Sequence, residues 1–367
     1  MRLAAEPNLG MLMTKQFGKW SVLLWLVSGA AYTAVPAAVP TGAQAGIQAG
    51  IQTGIQREAA PNQPQRRVAD AQADGAQWFA KMQQALRQLN FDASFVHARG
   101  ERIEPYRWVH GVSDNGVEIE MLAGMNGPEY RALRHNDLVS YYHALGSPYT
   151  MRSTIVDGPV PSGFFQPLER INSVYHVISV GGDRIMDRNA QHIRVVARDR
   201  QRYGYSLWVD RESGMLLRSA TLSMNGDVLE QIQLTSLFVS EQFNENLQEL
   251  KNVARPPVID DRSNRRPVQG TWAVGWLPEG FELLRSNSHR MAVTGQAADY
   301  FLYSDGLAKV SIYISRHNDT PQSFQIEGAE SLFSAHLNGH QVTVVGGLPL
   351  ATVQRIAQSV RGADVAR

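Results

Sequence analysis

The 367-residue sequence contains no cysteine. This absence excludes disulfide bonds, cysteine-ligated zinc and iron–sulfur centres, and catalysis by a thiol. The folded chain must therefore rely on burial of apolar side chains. Its length and its hydrophobic content of 43% permit a sizeable core.

The sequence also lacks a strong excess of either charge. Its 35 lysine and arginine residues nearly balance 34 aspartate and glutamate residues, so the formal net charge is +1. Domains that bind nucleic acids usually carry a pronounced basic excess. The composition therefore argues against a nucleic acid partner and leaves any binding of anions to local clusters of arginine.

Catalytic and cofactor-binding motifs are missing as well. The chain has no G-x-S-x-G, no phosphate-binding G-x-x-x-x-G-K-[ST], no G-x-G-x-x-G and no H-E-x-x-H. His336 and His340 lie four residues apart, but Gly339 stands between them and no nearby carboxylate completes a metal site. The sequence thus predicts no enzyme, no metal and no cofactor, and a hydrolase is the weakest functional alternative.

Long apolar runs are absent except near the N-terminus, where residues 15–20 are basic and residues 21–35 are apolar. The small residues 43–45 then provide a cleavage signal. These features predict a secretory signal peptide over residues 1–45, cleaved near Ala45, and hence a periplasmic protein without disulfides. An uncleaved membrane anchor is the alternative, although the apolar run is shorter than the roughly 20 residues of a spanning helix. The start codon stays open among Met1, Met11 and Met13.

Four segments follow the predicted signal peptide. Residues 46–74 contain a tetrapeptide repeat and few large apolar side chains, which predicts a low-complexity linker. We expect the larger domain over residues 75–250 and a proline-rich interdomain linker over residues 251–270. Residues 271–362 are predicted to form a smaller domain that ends in a strand, a Gly-Gly turn and a helix beginning near Pro349.

The larger domain is predicted to begin with an amphipathic helix and to continue as an antiparallel meander. The apolar positions at helical spacing are Trp78, Met82, Ala85 and Leu89. Residues 156–181 are rich in glycine and proline, which predicts a long loop with short helical pieces. Turn signals separate the predicted strands, which are residues 91–97, 106–112, 117–122, 129–133, 138–143, 192–197, 203–210, 215–224 and 228–239.

One predicted hairpin, YGYSLWVDRESGMLLRS over residues 203–219, is apolar on both faces. Its first strand alternates, and the turn ends in glycine, which together predict a hairpin. Tyr205 and Leu207 lie on one face of the strand, and Trp208 lies on the other. Both faces must therefore be covered, by a helix, another sheet or a ligand.

The larger domain is rich in aromatic residues, and an ordinary hydrophobic core is the simpler explanation for most of them. A curved sheet closed by helices can also leave an apolar cavity, where an acyl chain gains about 0.8 kcal/mol for each buried CH₂. The GFFQP stretch, residues 163–167, is the expected exposed apolar element. The candidate lipid-binding residues are Phe91, Phe95, Trp108, Tyr142, Phe164, Phe165 and Trp208.

The stretch RVVARDRQR, residues 194–202, is strongly basic. A solvated hairpin end is the simpler interpretation. The functional interpretation is a cationic rim that binds phosphate groups or the carboxylates of a partner. The candidate residues for this role are Arg198, Arg200 and Arg202.

The most distinctive stretch is ISVGGDRIMDRNAQHIRVVARDRQRYGYSLWVDRESGMLLRS, residues 178–219. Together with WLPEGF, YSDGL and VTVVGGLP it resembles the RseB/MucB family of periplasmic sigma-E regulators. The resemblance extends over about residues 76–361. It implies an α+β fold in which a LolA/LolB-like half-open antiparallel β-barrel, closed by helices around an apolar cavity, precedes a small α+β C-terminal domain.

The resemblance also implies a function. Family members bind the periplasmic domain of a RseA/MucA-type anti-sigma factor and shield it from proteolysis until lipopolysaccharide or lipoprotein acyl chains release it. A periplasmic lipoprotein or lipid carrier of LolA/LolB type is the alternative, because the larger domain alone suggests one, but the C-terminal domain argues against it. The sequence leaves open the lipid signal, the partner-binding residues and whether the chain forms a homo-oligomer.

Overall fold

The computed structural model describes residues 63–144, 146–259, 272–290, 297–315, 323–337 and 339–362. The predicted signal peptide, the first part of the N-terminal linker and most of the interdomain linker lie outside these residues. Within them, the chain forms two large antiparallel sheets, each with its own hydrophobic core, and a small two-stranded sheet. No helix in these ranges is long and apolar enough to cross a membrane.

The first helix, α1 (Gln63–Gln88), begins well before the predicted start of the larger domain. The sequence predicts a linker over residues 63–74, and this part of the prediction is wrong. The segment has few large apolar side chains, but its alanine, glutamine and arginine residues have high helix propensity. In the second half of α1, the side chains of Phe79, Met82 and Leu86 pack in the core and are almost completely buried.

Eleven described strands build the larger sheet: β1 (Asn90–Arg99), β2 (Arg102–Val112), β3 (Glu118–Gly124), β4 (Tyr130–His135), β5 (Leu138–His143), β6 (Tyr149–Arg152), β7 (Tyr175–Ile185), β8 (Arg188–Ala197), β9 (Gly204–Asp210), β10 (Leu216–Leu222) and β11 (Val228–Ser240). Their spatial order is β6-β5-β4-β3-β2-β1-β11-β10-β9-β8-β7. Two meanders therefore meet where β1 pairs with β11. The predicted strands correspond to β1–β5 and β8–β11.

The sequence does not predict strands β6 and β7 or the short helix α3 (Glu245–Leu250). Residues 175–181 of β7 are assigned to the long loop because that segment is rich in glycine and proline, and the strand contains both Gly181 and Gly182. In the structure these glycines lie at a register shift between Ser179 and Gly181, as is typical of a β-bulge. The rest of that loop does contain short helical pieces, a 3-10 turn (Ser162–Phe165) and the helix α2 (Leu168–Val174).

The larger sheet is open, because its edge strands β6 and β7 do not pair with each other. Helix α1 packs against β7, β8 and β9 on one face, which we call the inner face. Residues 153–174, which we call the plug segment, cover the same face, and Val156, Phe164 and Ile171 join the core beneath them. The arrangement confirms the predicted half-open barrel closed by helices.

The described start of the predicted interdomain linker runs along edge strand β6. The backbone N–H of Thr150 donates to the carbonyl of Pro257 (2.9 Å), and the N–H of Ile259 donates to the carbonyl of Thr150 (2.8 Å). The Thr150 hydroxyl donates to the carbonyl of Pro256 (2.9 Å). These bonds form a parallel bridge between Thr150 and Val258, so the linker covers the edge of the sheet.

The C-terminal part forms a smaller α+β domain, as predicted. Its described strands are β12 (Trp272–Val274), β13 (Glu282–Arg290), β14 (Ala297–Ser304), β15 (Lys309–Ser315), β16 (Phe324–Ile326), β17 (Ser331–Leu337), β18 (His340–Gly346) and β19 (Val360–Gly362). Six of them form a sheet in the order β13-β14-β15-β18-β17-β16, and β12 pairs with β19. Helix α4 (Leu350–Gln358), which Pro349 precedes, buries Val353, Ile356 and Ala357 in this domain's core.

Candidate functional site

Alternating aromatic residues of β1 and β2 cover part of the inner face. Phe91 meets Trp108 edge to face with ring centroids 4.9 Å apart, and Phe95 stacks on Tyr106 at 5.2 Å. Side chains two residues apart point to the same side of a strand, so pairing of β1 with β2 brings these rings together. Three of the candidate lipid-binding residues, Phe91, Phe95 and Trp108, thus share one surface and are almost completely buried.

The aromatic surface continues across β4, β5 and β6. Tyr141 lies 5.4 Å from Tyr149, and Tyr130 lies 5.5 Å from His143, measured between ring centroids. Burial raises the pKa of Tyr149 to about 12, so its phenol stays neutral at physiological pH. Sequence reasoning misses these four as site residues, although Tyr141 and His143 show the same two-residue spacing as the aromatic residues of β2.

A network of polar and charged side chains on β2, β3 and β4 is hydrogen-bonded to the aromatic surface. The indole N–H of Trp108 donates to Glu120 (2.8 Å), and Arg134 donates to both Glu120 (2.7 Å) and Glu118 (2.5 Å). Burial alone raises the pKa of Glu118, but hydrogen bonds from Arg134 and His110 outweigh it and lower the pKa to about 2. The network fixes the Trp108 ring and keeps the Glu118 carboxylate charged.

The plug segment fills the inner face with its own aromatic ring. Phe164 is completely buried and meets Phe79 of α1 and Tyr205 of β9 edge to face, at 6.3 and 5.8 Å. The Gln83 side chain donates to the carbonyl of Phe164 (3.0 Å), and Arg87 donates to that of Phe165 (2.6 Å). The prediction that the GFFQP stretch is exposed is wrong for Phe164, because α1 supplies both an apolar contact and hydrogen-bond donors. Phe165 is half-buried.

Two candidate lipid-binding residues lie on the opposite, outer face. Tyr142 packs beneath α3, with the Arg131 guanidinium 4.9 Å from its ring. Trp208 lies between the His192 ring and the Arg218 guanidinium, each 4.5 Å from a ring centroid of the indole. The seven candidates therefore do not form one surface, because adjacent residues of a strand point to opposite faces.

The predicted arginine rim is divided between the surface and the interior. Arg198 and Arg200 are exposed in the turn between β8 and β9. Arg202 is only 1% exposed and forms ion pairs with Asp199 (2.9 Å) and with Asp305 (2.8 Å) of the C-terminal domain. The prediction that Arg202 belongs to a surface rim is wrong, since its charge is neutralised inside the protein.

Arg202 is the centre of the contact between the two domains. Its guanidinium also donates to the carbonyl of Glu279 (2.8 Å) and lies between the rings of Tyr175 and Phe281, at 5.6 and 5.5 Å. The Tyr175 hydroxyl donates to the Asp305 carboxylate that Arg202 binds (3.1 Å). A buried charge is tolerated when it is paired and hydrogen-bonded, and these contacts meet that condition.

The plug segment belongs to the same interdomain contact. A Cβ atom added to Gly163 would lie 2.6 Å from both the carbonyl oxygen of Gly306 and the Cα of Leu307, so the two backbones touch. Leu307 is buried among residues of the larger domain's core. The Arg170 side chain donates to the carbonyl of Ser304 (3.1 Å). We refer to these contacts and those of Arg202 as the domain joint.

The residues that the structure describes include no group of three or more histidine, aspartate or glutamate side chains placed to hold a metal ion. His336 is the last but one residue of β17, and His340 begins β18, so this pair lies in a hairpin. The inner face and the domain joint are therefore the features of the described chain that remain as candidates for function.

Comparison with known proteins agrees with this architecture. Residues 74–258 match the model of the MucB/RseB N-terminal domain, and residues 266–361 match that of the MucB/RseB C-terminal domain. The Sigma-E factor regulatory protein RseB of Haemophilus influenzae is 30% identical over 283 residues, which cover 77% of this chain and 89% of that protein.

Two further matches come from Pseudomonas aeruginosa. The Sigma factor AlgU regulatory protein MucB is 29% identical over 296 residues, covering 79% of this chain and 91% of that protein. The solved MucA/MucB complex contains a chain that superposes with a TM-score of 0.66 at 27% identity, covering 80% of this chain and all of the other. The predicted resemblance is confirmed: the chain belongs to the MucB/RseB family of sigma-factor regulatory proteins.

Proposed function

We propose that this protein is a periplasmic regulator of the envelope-stress response that binds the periplasmic domain of a RseA/MucA-type anti-sigma factor. The observation that carries the proposal is the match to both family domains in order, together with the likeness to a relative solved in complex with MucA. Bound to this protein, the anti-sigma factor is shielded from regulated proteolysis, and the sigma factor stays inactive.

Lipid is the proposed signal that ends this protection. The inner face offers an aromatic surface that Phe91, Phe95 and Trp108 share, and an acyl chain buried there gains about 0.8 kcal/mol for each CH₂. By linkage, lipid releases the partner only if it binds the partner-free protein more tightly. A tenfold release needs about 1.4 kcal/mol of difference, which a few methylenes supply.

The exposed arginines provide the proposed polar contact. Arg198 and Arg200 are exposed in the turn that leads into the domain joint, and the Nε–H of Arg198 donates to the carbonyl of Tyr175 (3.3 Å). The remaining donors of the two guanidinium groups are proposed to meet lipid phosphates or partner carboxylates. The proposed location is the periplasm, which the chain reaches through a signal peptide cleaved near Ala45. The proposed role involves no catalysis, in keeping with a family of regulatory proteins.

A lipid or lipoprotein carrier remains the second candidate, since the inner face of the larger domain suits an acyl cargo. The filled inner face favours the regulator, because Phe164 occupies the space that a carrier would keep for its cargo. The C-terminal domain packs against the plug segment and has no evident task in a carrier.

The deciding experiment is a titration of the mature protein, beginning near residue 46, with the periplasmic segment of its anti-sigma factor. The titration is repeated with lipopolysaccharide. We expect tight binding that lipopolysaccharide weakens at least about tenfold. Lack of partner binding, together with stoichiometric lipid in a solvent extract of the purified protein, would instead establish the carrier.

A further inference from the structure

The backbone of the plug segment is held between the two domains. On one side Phe164 inserts between Phe79 and Tyr205 of the larger domain. On the other side its neighbour Gly163 touches Gly306 so closely that a Cβ atom would not fit. A residue enclosed in this way cannot leave the inner face unless one of its two supports moves.

We propose that the plug segment couples entry of an acyl chain to opening of the domain joint, with Phe164 as the built-in occupant that the acyl chain replaces. This inference rests on the proposed recognition of lipid and names its mechanism of regulation. Phe164 is completely buried in the aromatic core of the inner face. An acyl chain can reach that core only where an aromatic side chain gives up its place, because protein interiors are close-packed.

The support that moves is the C-terminal domain rather than α1. Helix α1 binds the plug segment through two side chains: Gln83 donates to the carbonyls of Phe164 (3.0 Å) and Gln166 (2.5 Å), and Arg87 donates to that of Phe165. The buried face of α1 itself lies in the core. The C-terminal domain meets the plug segment through one large apolar side chain, Leu307, and through the polar contacts of Arg170 with Ser304 and Glu282. Separation of these contacts exposes less apolar surface than removal of α1.

The proposal has a thermodynamic consequence that can be measured. If acyl binding favours an open joint, then a closed joint must disfavour acyl binding by the same factor, because coupling between two equilibria is reciprocal. A covalent bond that holds the joint closed should therefore weaken lipid binding, and a substitution that loosens the joint should strengthen it.

The chain offers a site for such a bond. A Cβ atom built on Gly280 lies 3.7 Å from the Cβ of Val174, at the end of the plug segment, and this separation matches that of disulfides. The chain has no cysteine of its own, so Val174→Cys/Gly280→Cys can form one disulfide only. Gly280 has a φ of +81°, where a side chain is strained, so the matched control is the reduced double variant, which carries both substitutions without the bond. Val174→Cys alone shows the effect of the lost valine packing.

Binding of two acylated probes, lipopolysaccharide and a synthetic acylated lipopeptide, is measured with each form of the full mature protein. We expect the oxidised double variant to bind the active probe at least about tenfold more weakly than its reduced form. Which probe binds identifies the source of the acyl chain. Equal affinity of the oxidised and reduced forms would overturn the coupling, while the proposed function would stand.

A second variant tests the opposite direction. Arg170→Ala removes the bond to Ser304 and the ion pair with Glu282 (3.0 Å) without touching the aromatic core. We expect it to bind the same probe several-fold more tightly, and an unchanged or weaker affinity counts against the coupling. If the unmodified protein binds neither probe, the proposed lipid recognition fails, and the inference fails with it.

Discussion

Arg202 and Asp305 form a 2.8 Å ion pair that is closed to solvent, although the two residues are 103 positions apart in the chain. Removal of one partner from a buried pair leaves the other charge without compensation. We expect Asp305→Ala to lower the free energy of unfolding by about 3–5 kcal/mol, measured by urea denaturation.

The matched control for this pair is the exposed ion pair of Arg152 with Asp137, 2.6 Å long. Solvent screens such a pair, so Arg152→Ala should lower the free energy of unfolding by less than about 1 kcal/mol. Similar losses in Asp305→Ala and Arg152→Ala would show that the buried pair does not stabilise the domain joint.

Phe164→Ala should have opposite effects on stability and on lipid binding. Loss of a completely buried phenylalanine costs about 3–5 kcal/mol of folding free energy. The cavity that remains is apolar, and such cavities bind apolar ligands. We therefore expect a lower denaturation midpoint together with tighter binding of acylated probes.

Phe165→Ala is the matched control, because Phe165 is only half-buried and Arg87 faces its ring at 5.6 Å. Loss of the Phe165 ring should change the denaturation midpoint and the affinity for acylated probes less than loss of the Phe164 ring does. The prediction fails if Phe164→Ala, still folded by circular dichroism, binds acylated probes more weakly than Phe165→Ala does.

Glu118 should make the protein sensitive to acid. Its pKa is lowered from 4.5 to about 2, because hydrogen bonds from Arg134 and His110 outweigh the effect of burial. A carboxylate with a lowered pKa stabilises the folded state above its unfolded pKa and loses this effect as the pH falls from about 4.5 towards 2. The contribution near neutral pH is at most about 3 kcal/mol.

The measurement compares Glu118→Gln with the unmodified protein by urea denaturation near neutral pH and at about pH 3. The difference in unfolding free energy should shrink at the lower pH. Glu129→Gln changes an exposed carboxylate in the loop between β3 and β4 and is the control, with an expected small effect on unfolding free energy. If the difference in unfolding free energy between Glu118→Gln and the unmodified protein does not change with pH, the lowered pKa of Glu118 is contradicted.

The exposed arginines give a prediction about binding. Arg198→Ala/Arg200→Ala should weaken lipopolysaccharide or anti-sigma factor binding by roughly tenfold, with a loss that decreases as salt increases. Stability should change little, because both side chains are exposed. Arg184→Ala is the control. Arg184 is an exposed arginine near the end of β7 that lies away from the β8–β9 turn, and it forms an ion pair with Asp187. Equal affinities for the two variants would exclude a role for the arginine turn.

The sequence predicts much of the fold because most of its strands show local alternation. Residues 138–143 are predicted as a strand and form one with the same limits. Strand β7 escapes prediction because its glycines, which the bulge requires, are also typical of loops. Helix α1 extends further than predicted because helix propensity suffices where large apolar residues are lacking.

The candidate site is harder to predict, because it depends on contacts between distant residues. Nothing near Arg202 in the sequence distinguishes it from Arg198 and Arg200, since its burial depends on Asp305. Tyr142 and its neighbour Tyr141 look alike in the sequence, yet strand geometry places them on opposite faces. Local patterns reveal which residues share a face, but not which face is inner.

The bridge between Thr150 and Val258 makes the linker part of the larger domain's sheet. An edge strand with free backbone groups tends to pair with other chains. A larger domain shortened to end at residue 250 loses the segment that occupies the β6 edge, whereas one that ends at residue 259 keeps it. We therefore expect a separated domain that ends at residue 250 to self-associate more readily than one that ends at residue 259, because only the longer one keeps the β6 edge covered.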